Sequence, residues 1–117
     1  MNKRKIGQEQ EAKAACFLEI QGYEILEKNY RCKCGEIDLI GKENDYLVFV
    51  EVKYRETVKS GMPEEAVDKR KQRQISRVAA WYLTEKGYDV YTPCRFDVVA
   101  ITGEKIELYR DAFFYQP

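Results

Sequence analysis

The chain has 117 residues, 44% hydrophobic and 34% charged, with 20 basic and 20 acidic side chains, no histidine and a pI near 6.4. That is enough for one core burying about two-thirds of the unfolded surface, so a single domain over residues 1–117 is expected, with its core at about 7–110 and a tail at 111–117. Zero net charge excludes a basic nucleic-acid coat, the lack of histidine removes Ser–His and Cys–His nucleophilic pairs, and no apolar run approaches the roughly 20 residues of a membrane span.

Met1-Asn2-Lys3-Arg4-Lys5 leads into a polar helix and not into the apolar segment of a signal peptide, so a cytoplasmic location is expected. Gln8 to Gln21 has helical spacing, with Ala14, Ala15, Phe17 and Leu18 on the buried side and Gly22 as the stop. Glu11 precedes Ala14, Ala15 and Leu18 by three, four and seven residues and so lies on the apolar stripe. Glu9, the competing acid of the first turn, neighbours Ala12, Lys13 and Cys16 instead. Tyr23 to Tyr30 reads as a first strand. Gly35 to Ile40 and Tyr46 to Arg55 read as two more, joined by the turn-like Gly41 to Asp45 into a hairpin. In the third, Leu47, Phe49, Glu51, Lys53 and Arg55 share one face and Val48, Val50, Val52 and Tyr54 the other, so one face begins as core and ends charged. After a loop from Glu56 to Met62, a helix is expected to start near Pro63, with Glu64 and Glu65 in its first turn, and to run to Glu85 or Lys86 before Gly87. Its stripe is Val67, Ile75, Val78, Ala79, Tyr82 and Leu83. Arg95 to Ile101 and Lys105 to Tyr109, joined at Gly103, complete the sheet. Asp97, inside an apolar strand, is expected in a structural hydrogen-bonding role, with a place in a cleft as the alternative. The aromatic tail Asp111 to Pro117 either folds back on the core or makes a dimer contact.

Asp38 and Glu51 on neighbouring strands, with Lys53 two residues on, would place two carboxylates and an amine around one small volume. Mg²⁺ takes oxygen ligands at about 2.0–2.1 Å, commonly one or two carboxylates completed by water and phosphate, and a nearby lysine can hold a nucleophile and offset phosphoryl charge. Asp followed by Glu-x-Lys is thus a plausible hydrolytic set. A same-face ion pair at a strand end is the bland alternative for Glu51 and Lys53. Glu36 shares the alternating face with Asp38 and is either a further ligand or, the reading preferred, a partner for Lys or Arg.

Asp38 with Glu51-Val52-Lys53 resembles the PD-(D/E)xK nuclease superfamily, without the proline, since Ile37 precedes Asp38. A longer string is more specific: Gly7-x-x-x-Glu11, Gly22-Tyr23-x-Ile25, Asn29-Tyr30-Arg31, Gly35 to Ile40, Val48 to Lys53 with Arg55, Pro63-x-x-Ala66-Val67, Lys71, and Arg95 to Val99. It resembles the bacterial YraN family, also called UPF0102, whose likeness to archaeal Holliday-junction resolvases implies an endonuclease. The resemblance implies an α/β fold with the restriction-endonuclease-like αβββαβ core, a mixed central sheet flanked by helices. It also implies Glu11, Asp38 and Glu51 around Mg²⁺ or Mn²⁺, Lys53 at the nucleophile, and DNA as substrate. It carries no settled substrate structure; cleavage of both strands of a junction would favour a twofold homodimer. Two rival readings are a nucleic-acid-binding module that keeps the fold without turnover, as a subunit of a larger complex, and an interaction protein that docks through Tyr109, Phe113, Phe114 and Tyr115.

Asp68-Lys69-Arg70-Lys71-Gln72-Arg73-Gln74 opens the second helix with four cations, Arg77 follows one turn later, and Arg31, Lys33, Arg55 and Lys59 come from loops or strand ends. Of these, Arg31, Arg55, Arg70, Lys71 and Arg73 are the candidate nucleic-acid contacts, and Lys71 also falls on the apolar stripe. For Lys69 and Arg73 a solvated helix face serves equally. Arg55 touches phosphate or caps the carboxylates. Cys32-Lys33-Cys34 lacks zinc-knuckle spacing, so Cys16, Cys32, Cys34 and Cys94 are expected as reduced thiols.

Overall fold

Each predicted element carries an apolar face with no partner of its own, and layering them is what buries those faces. The computed structural model describes residues 3–55 and 67–117. Its elements are α1 (Lys3–Ile20), β1 (Glu24–Cys32), β2 (Gly35–Glu43), β3 (Tyr46–Arg55), α2 (Lys69–Glu85), β4 (Cys94–Thr102) and β5 (Lys105–Phe113). The strands lie in the order β1-β2-β3-β4-β5, antiparallel except for the parallel pair β3 and β4, which are linked through α2. This is the expected α/β architecture, a restriction-endonuclease-like core of one mixed sheet flanked by helices. Among the described residues no helix is long and apolar enough to cross a membrane.

Alternation along β3 divides the core into two. Val48 and Val50 join Leu39, Val99 and Ile101 beneath Ala14, Ala15 and Leu18 of α1. Leu47 and Phe49 join Ile37, Ile40, Phe96 and Val98 beneath Ile75, Val78, Ala79 and Tyr82 of α2. Leu18, Phe49 and Ile75 are fully buried, each worth about 1.5–3 kcal/mol against exposure.

The boundaries differ from expectation where polar side chains intervene. The second helix begins at Lys69 and not near Pro63, because Asp68 is its N-cap and accepts a hydrogen bond from the Lys71 amide at 2.8 Å. The expected loop Glu56 to Met62, with Lys59, and the residues Pro63, Glu64, Glu65 and Ala66 lie outside the described residues. α1 starts at Lys3, five residues earlier than the spacing predicts, and β2 runs on to Glu43, leaving Asn44 and Asp45 as the turn. β5 continues past Tyr109 to Phe113, which stacks on Phe96 with centroids 5.0 Å apart. The Gln116 amide donates to the Ser76 hydroxyl at 2.9 Å, so the tail folds back on α2 while Phe114 and Tyr115 stay exposed.

Asp97 has the structural role anticipated for it. Wholly buried, it accepts from the Tyr23 hydroxyl at 2.6 Å, from the Arg95 guanidinium through both oxygens at 2.9 Å, and from the Asp111 amide at 2.9 Å. Arg95 also reaches Glu43 at 2.6 Å, and Arg110 grips the same carboxylate at 2.7 and 2.9 Å. These partners hold the Glu43 carboxyl down at about 2, the Arg110 hydrogen bond contributing most. A buried charge satisfied this completely ties β2, β4 and β5 together.

Candidate functional site

Glu51 and Lys53 lie where the sheet divides. β2 pairs with β3 from Glu43↔Tyr46 up to Leu39↔Val50, whereas β3 stays paired with β4 as far as Arg55↔Thr102 and β2 with β1 as far as Cys32↔Gly35. Beyond Leu39 and Val50 the two central strands therefore part into a fork, and Asp38 sits at its base. Its carboxylate accepts a hydrogen bond from the Val52 amide at 2.8 Å, in place of a ladder carbonyl. The chain turns over at the same point. Ile37 packs on the α2 side and Leu39 on the α1 side, although residues two apart in a regular strand share a face. The β1 residue opposite Asp38, Asn29, has φ 53°, a left-handed conformation that twists the hairpin there. Asp38 is thereby presented to both faces of the sheet.

From the α1 side come Glu11 and Glu36. Carboxylate oxygens of Glu11, Glu36 and Asp38 all lie within 4.8 Å of one another. Glu11 is half-buried, whereas Glu9 is exposed. Burial, and next the charge of Asp38, raise the Glu11 carboxyl to about 7, against a hydrogen bond from Asn29. Glu36 has both of the roles open to it, since Arg31 forms an ion pair with it while it adjoins Glu11 and Asp38. On the α2 side stands Glu51, raised to about 9 by burial first and then by the charge and hydrogen bonding of Asp38, against the opposing charges of Lys71 and Lys53. Lys71 Nζ is 3.7 Å from Glu51 Oε2, and Lys53 is exposed at the fork's rim. Asp38 thus couples Glu11 to Glu51, and Glu36 is the acid whose place in the group the sequence left undecided.

An all-oxygen donor set suits a hard cation. Ligand oxygens of an Mg²⁺ octahedron are roughly 3 Å apart when adjacent and about 4 Å when opposite, so Glu11, Glu36 and Asp38, whose oxygens lie within 4.8 Å of one another, would draw inward to hold one ion. The raised carboxyls show what such an ion would relieve, namely negative charge confined with little water. A stability consequence follows. A carboxyl whose folded pKa exceeds its unfolded value favours the folded state below the unfolded value of 4.5, and loses that contribution as the pH climbs through the folded value, about 7 for Glu11 and about 9 for Glu51. Glu51→Gln is therefore expected to raise the melting temperature of metal-free protein at pH 8, by roughly 3–6 °C for each kcal/mol recovered, and to change it little at pH 5. Melting curves at the two pH values decide it, and an equal or lower midpoint for the variant at pH 8 would mean that Glu51 is not under strain.

Two polar grooves flank the fork. One, of about 480 Å³, is lined by Arg4, Gln8, Glu11, Asn29, Arg31 and Glu36. The other, of about 380 Å³, is lined by Cys34, Asp68, Arg70, Lys71, Gln74 and Arg77. Gly35 adjoins its wall: φ is 142°, a conformation that favours glycine, and a Cβ there would lie 2.6 Å from Gln74 Nε2, so a larger residue would displace the Gln74 side chain. Of the residues picked out as nucleic-acid contacts, Arg70 and Lys71 line this groove and Arg31 the first. Arg73 is exposed but not among the lining residues, where Arg77 takes the expected place. The charge of Arg55 is felt at β5, where it opposes the rise that the Glu107 hydrogen bond imposes on the Tyr109 phenol. All four cysteines are free thiols.

A model of the uncharacterised protein family UPF0102 matches residues 10–101, which include every carboxylate of the fork. The chain belongs to the UPF0102 family. A UPF0102 protein of Lachnoclostridium phytofermentans is 52% identical over 113 residues, covering 97% of this chain and 96% of the relative. UPF0102 proteins of Syntrophus aciditrophicus and Fusobacterium nucleatum are 50% and 44% identical, covering 88% and 92% of this chain and 84% and 89% of their own lengths. The match therefore takes in α1 from Gln10 onward, α2, β1 to β3, and β4 as far as Ile101.

Proposed function

We propose that this UPF0102 protein is a divalent-metal-dependent nuclease that hydrolyses phosphodiester bonds in DNA, with branched or junction DNA of repair or recombination as its substrate. The observation that carries the reading is the acidic group at the base of the fork, Glu11, Glu36 and Asp38 within 4.8 Å of one another and Asp38 acting on Glu51 as well, with Lys53 and Lys71 beside Glu51 and a cation-bearing groove on either side. Asp38, Glu51 and Glu11 would hold Mg²⁺ or Mn²⁺, with Glu36 adjoining, and the bound ion supplies Lewis-acid stabilisation of the phosphoryl group and a more acidic water. The chain's own groups do the rest. Lys53, at the open rim, orients the nucleophile and offsets charge developing on phosphate oxygen. Lys71 screens Glu51 while holding a second positive charge within reach of the substrate backbone. Arg70 and Arg31 set the register of the strand without reading its sequence.

Purified protein incubated with branched, duplex and single-stranded DNA, in Mg²⁺, in Mn²⁺ and in EDTA, tests the reading. Metal-dependent internal cleavage is expected. Binding of these DNAs without cleavage in either metal would replace the enzyme by a binding module on the same fold. The groove makes a separate prediction. Arg70→Ala with Lys71→Ala should weaken binding and lower the slope of log affinity against log salt by about 0.9 per contact on duplex DNA, whereas Arg73→Ala should leave the slope unchanged. Equal slopes for all variants would move the binding surface elsewhere.

A further inference from the structure

Arg70, Gln74, Arg77 and Trp81 follow one another at intervals of four, three and four residues and so form one stripe along α2. The stripe borders two grooves that share Cys34 and Arg77. The first is the polar groove beside Lys71; the second, of about 530 Å³, is largely apolar and is lined by Trp81, Ala80 and Tyr115 among others. The track therefore starts at the candidate site, where Lys71 is 3.7 Å from Glu51, passes cations first and ends on aromatic rings. Neither Arg70 nor Arg77 forms an ion pair among the described residues, and the one carboxylate of the polar groove, Asp68, is engaged as the helix cap. Trp81, the chain's one tryptophan, is 45% exposed and Tyr115 53%.

Cations in line with unburied aromatic rings fit a polynucleotide whose phosphates meet the first and whose base faces meet the second. A duplex keeps its base faces stacked inside, so only an unpaired strand can use both halves of this track. We infer that α2 carries a binding track for an unpaired nucleic-acid strand, with Arg70 and Arg77 on the backbone and Trp81 and Tyr115 stacking a base. The inference deepens the nuclease reading and rests on it for where the strand leads: the cut falls beside an unpaired segment, as in a flap or the open arm of a branched substrate.

The single tryptophan supplies the test. The full chain in EDTA is titrated with oligo-dT and with oligo-U of about 12 nucleotides, and with a blunt duplex, while Trp81 emission is recorded. Quenching by a single strand is expected and by the duplex is not, and the two single strands distinguish DNA from RNA as the source. Trp81→Ala, followed by anisotropy of a labelled strand, should weaken binding at least about fivefold, the lower end of what one stacked base contributes; Tyr115→Ala and Arg77→Ala should weaken it too, with Trp81→Phe restoring part of the loss. Absent quenching at saturation, equal quenching by duplex, or parental affinity in Trp81→Ala would overturn the track. Quenching without cleavage of any substrate would sink the nuclease reading alone, and cleavage without quenching the track alone.

Discussion

Asp38→Asn should bind Mn²⁺ at least tenfold more weakly than the parent and cleave DNA two to three orders of magnitude more slowly, a loss of roughly 3–4 kcal/mol of transition-state stabilisation. The substitution suits the question because it leaves the scaffold in place. An asparagine oxygen still accepts from the Val52 amide, so the base of the fork stays closed, and the residue exchanges a charge for a dipole of the same shape. Removing that charge also removes the second cause of the rise at Glu51 and at Glu11, so both carboxyls should titrate nearer their ordinary range. Glu51→Gln should lose metal as Asp38→Asn does, and Glu11→Gln less. Calorimetry with Mn²⁺ measures the first effect and single-turnover cleavage the second. Parental Mn²⁺ affinity in both Asp38→Asn and Glu51→Gln would remove the metal from this fork.

The opposition between binding and stability in this cluster has a single physical cause. Carboxylates brought together with little water repel one another in the metal-free fold and hold protons to compensate. The arrangement that lowers the stability of the empty protein at high pH is the one that a cation would neutralise, which is why Glu51→Gln is expected to gain thermal stability while losing metal. The Asp97 group shows the contrasting outcome. It too is an acid within the sheet, but Arg95, Tyr23 and the Asp111 amide satisfy it, and it has no demand left for an ion.

The seven elements were legible because each displays its period: threes and fours in Ala14, Ala15 and Leu18, twos in Leu47, Phe49 and Val48, Val50. Glu11 could be separated from Glu9 by the same count, and the structure turns Glu11 toward Asp38. The turnover at Asp38 was not legible. Regular alternation puts Ile37 and Leu39 on one face, and their separation depends on a left-handed Asn29 across the ladder, which no count along β2 can detect. Glu36 was undecided for a related reason, since its two neighbours, Arg31 and the Glu11–Asp38 pair, come together only once β1, β2 and α1 are assembled. The exchange of Arg73 for Arg77 is an angular matter. At about 100° per residue, Arg70, Arg77, Gln74 and Lys71 span an arc of roughly 120°, and Arg73 falls just outside it. The helix start was misplaced because Pro63-Glu64-Glu65 and Asp68 are both good helix openings in sequence, and the cap geometry at Asp68 decides between them.

Lys53→Met separates chemistry from binding more sharply than any change to the carboxylates. Lys53 is exposed at the rim of the fork, and its charge is one of two that oppose the rise at Glu51; Lys71, the larger of the two, remains in the variant. Methionine keeps much of the side chain's length and loses only the ammonium. The carboxylates of the fork and the cations of the α2 groove are left in place, so DNA affinity should fall by no more than a few-fold. The cleavage step should slow by at least about a hundredfold, close to 3 kcal/mol, because an ammonium that orients the nucleophile and meets charge developing on phosphate acts mainly in the transition state. Single-turnover rates with pre-bound substrate read that step without interference from binding or product release. A rate within threefold of the parent, with circular dichroism unchanged, would leave Lys53 as a charged neighbour of Glu51 and would pass the catalytic role to Lys71, whose ammonium already lies 3.7 Å from the same carboxylate.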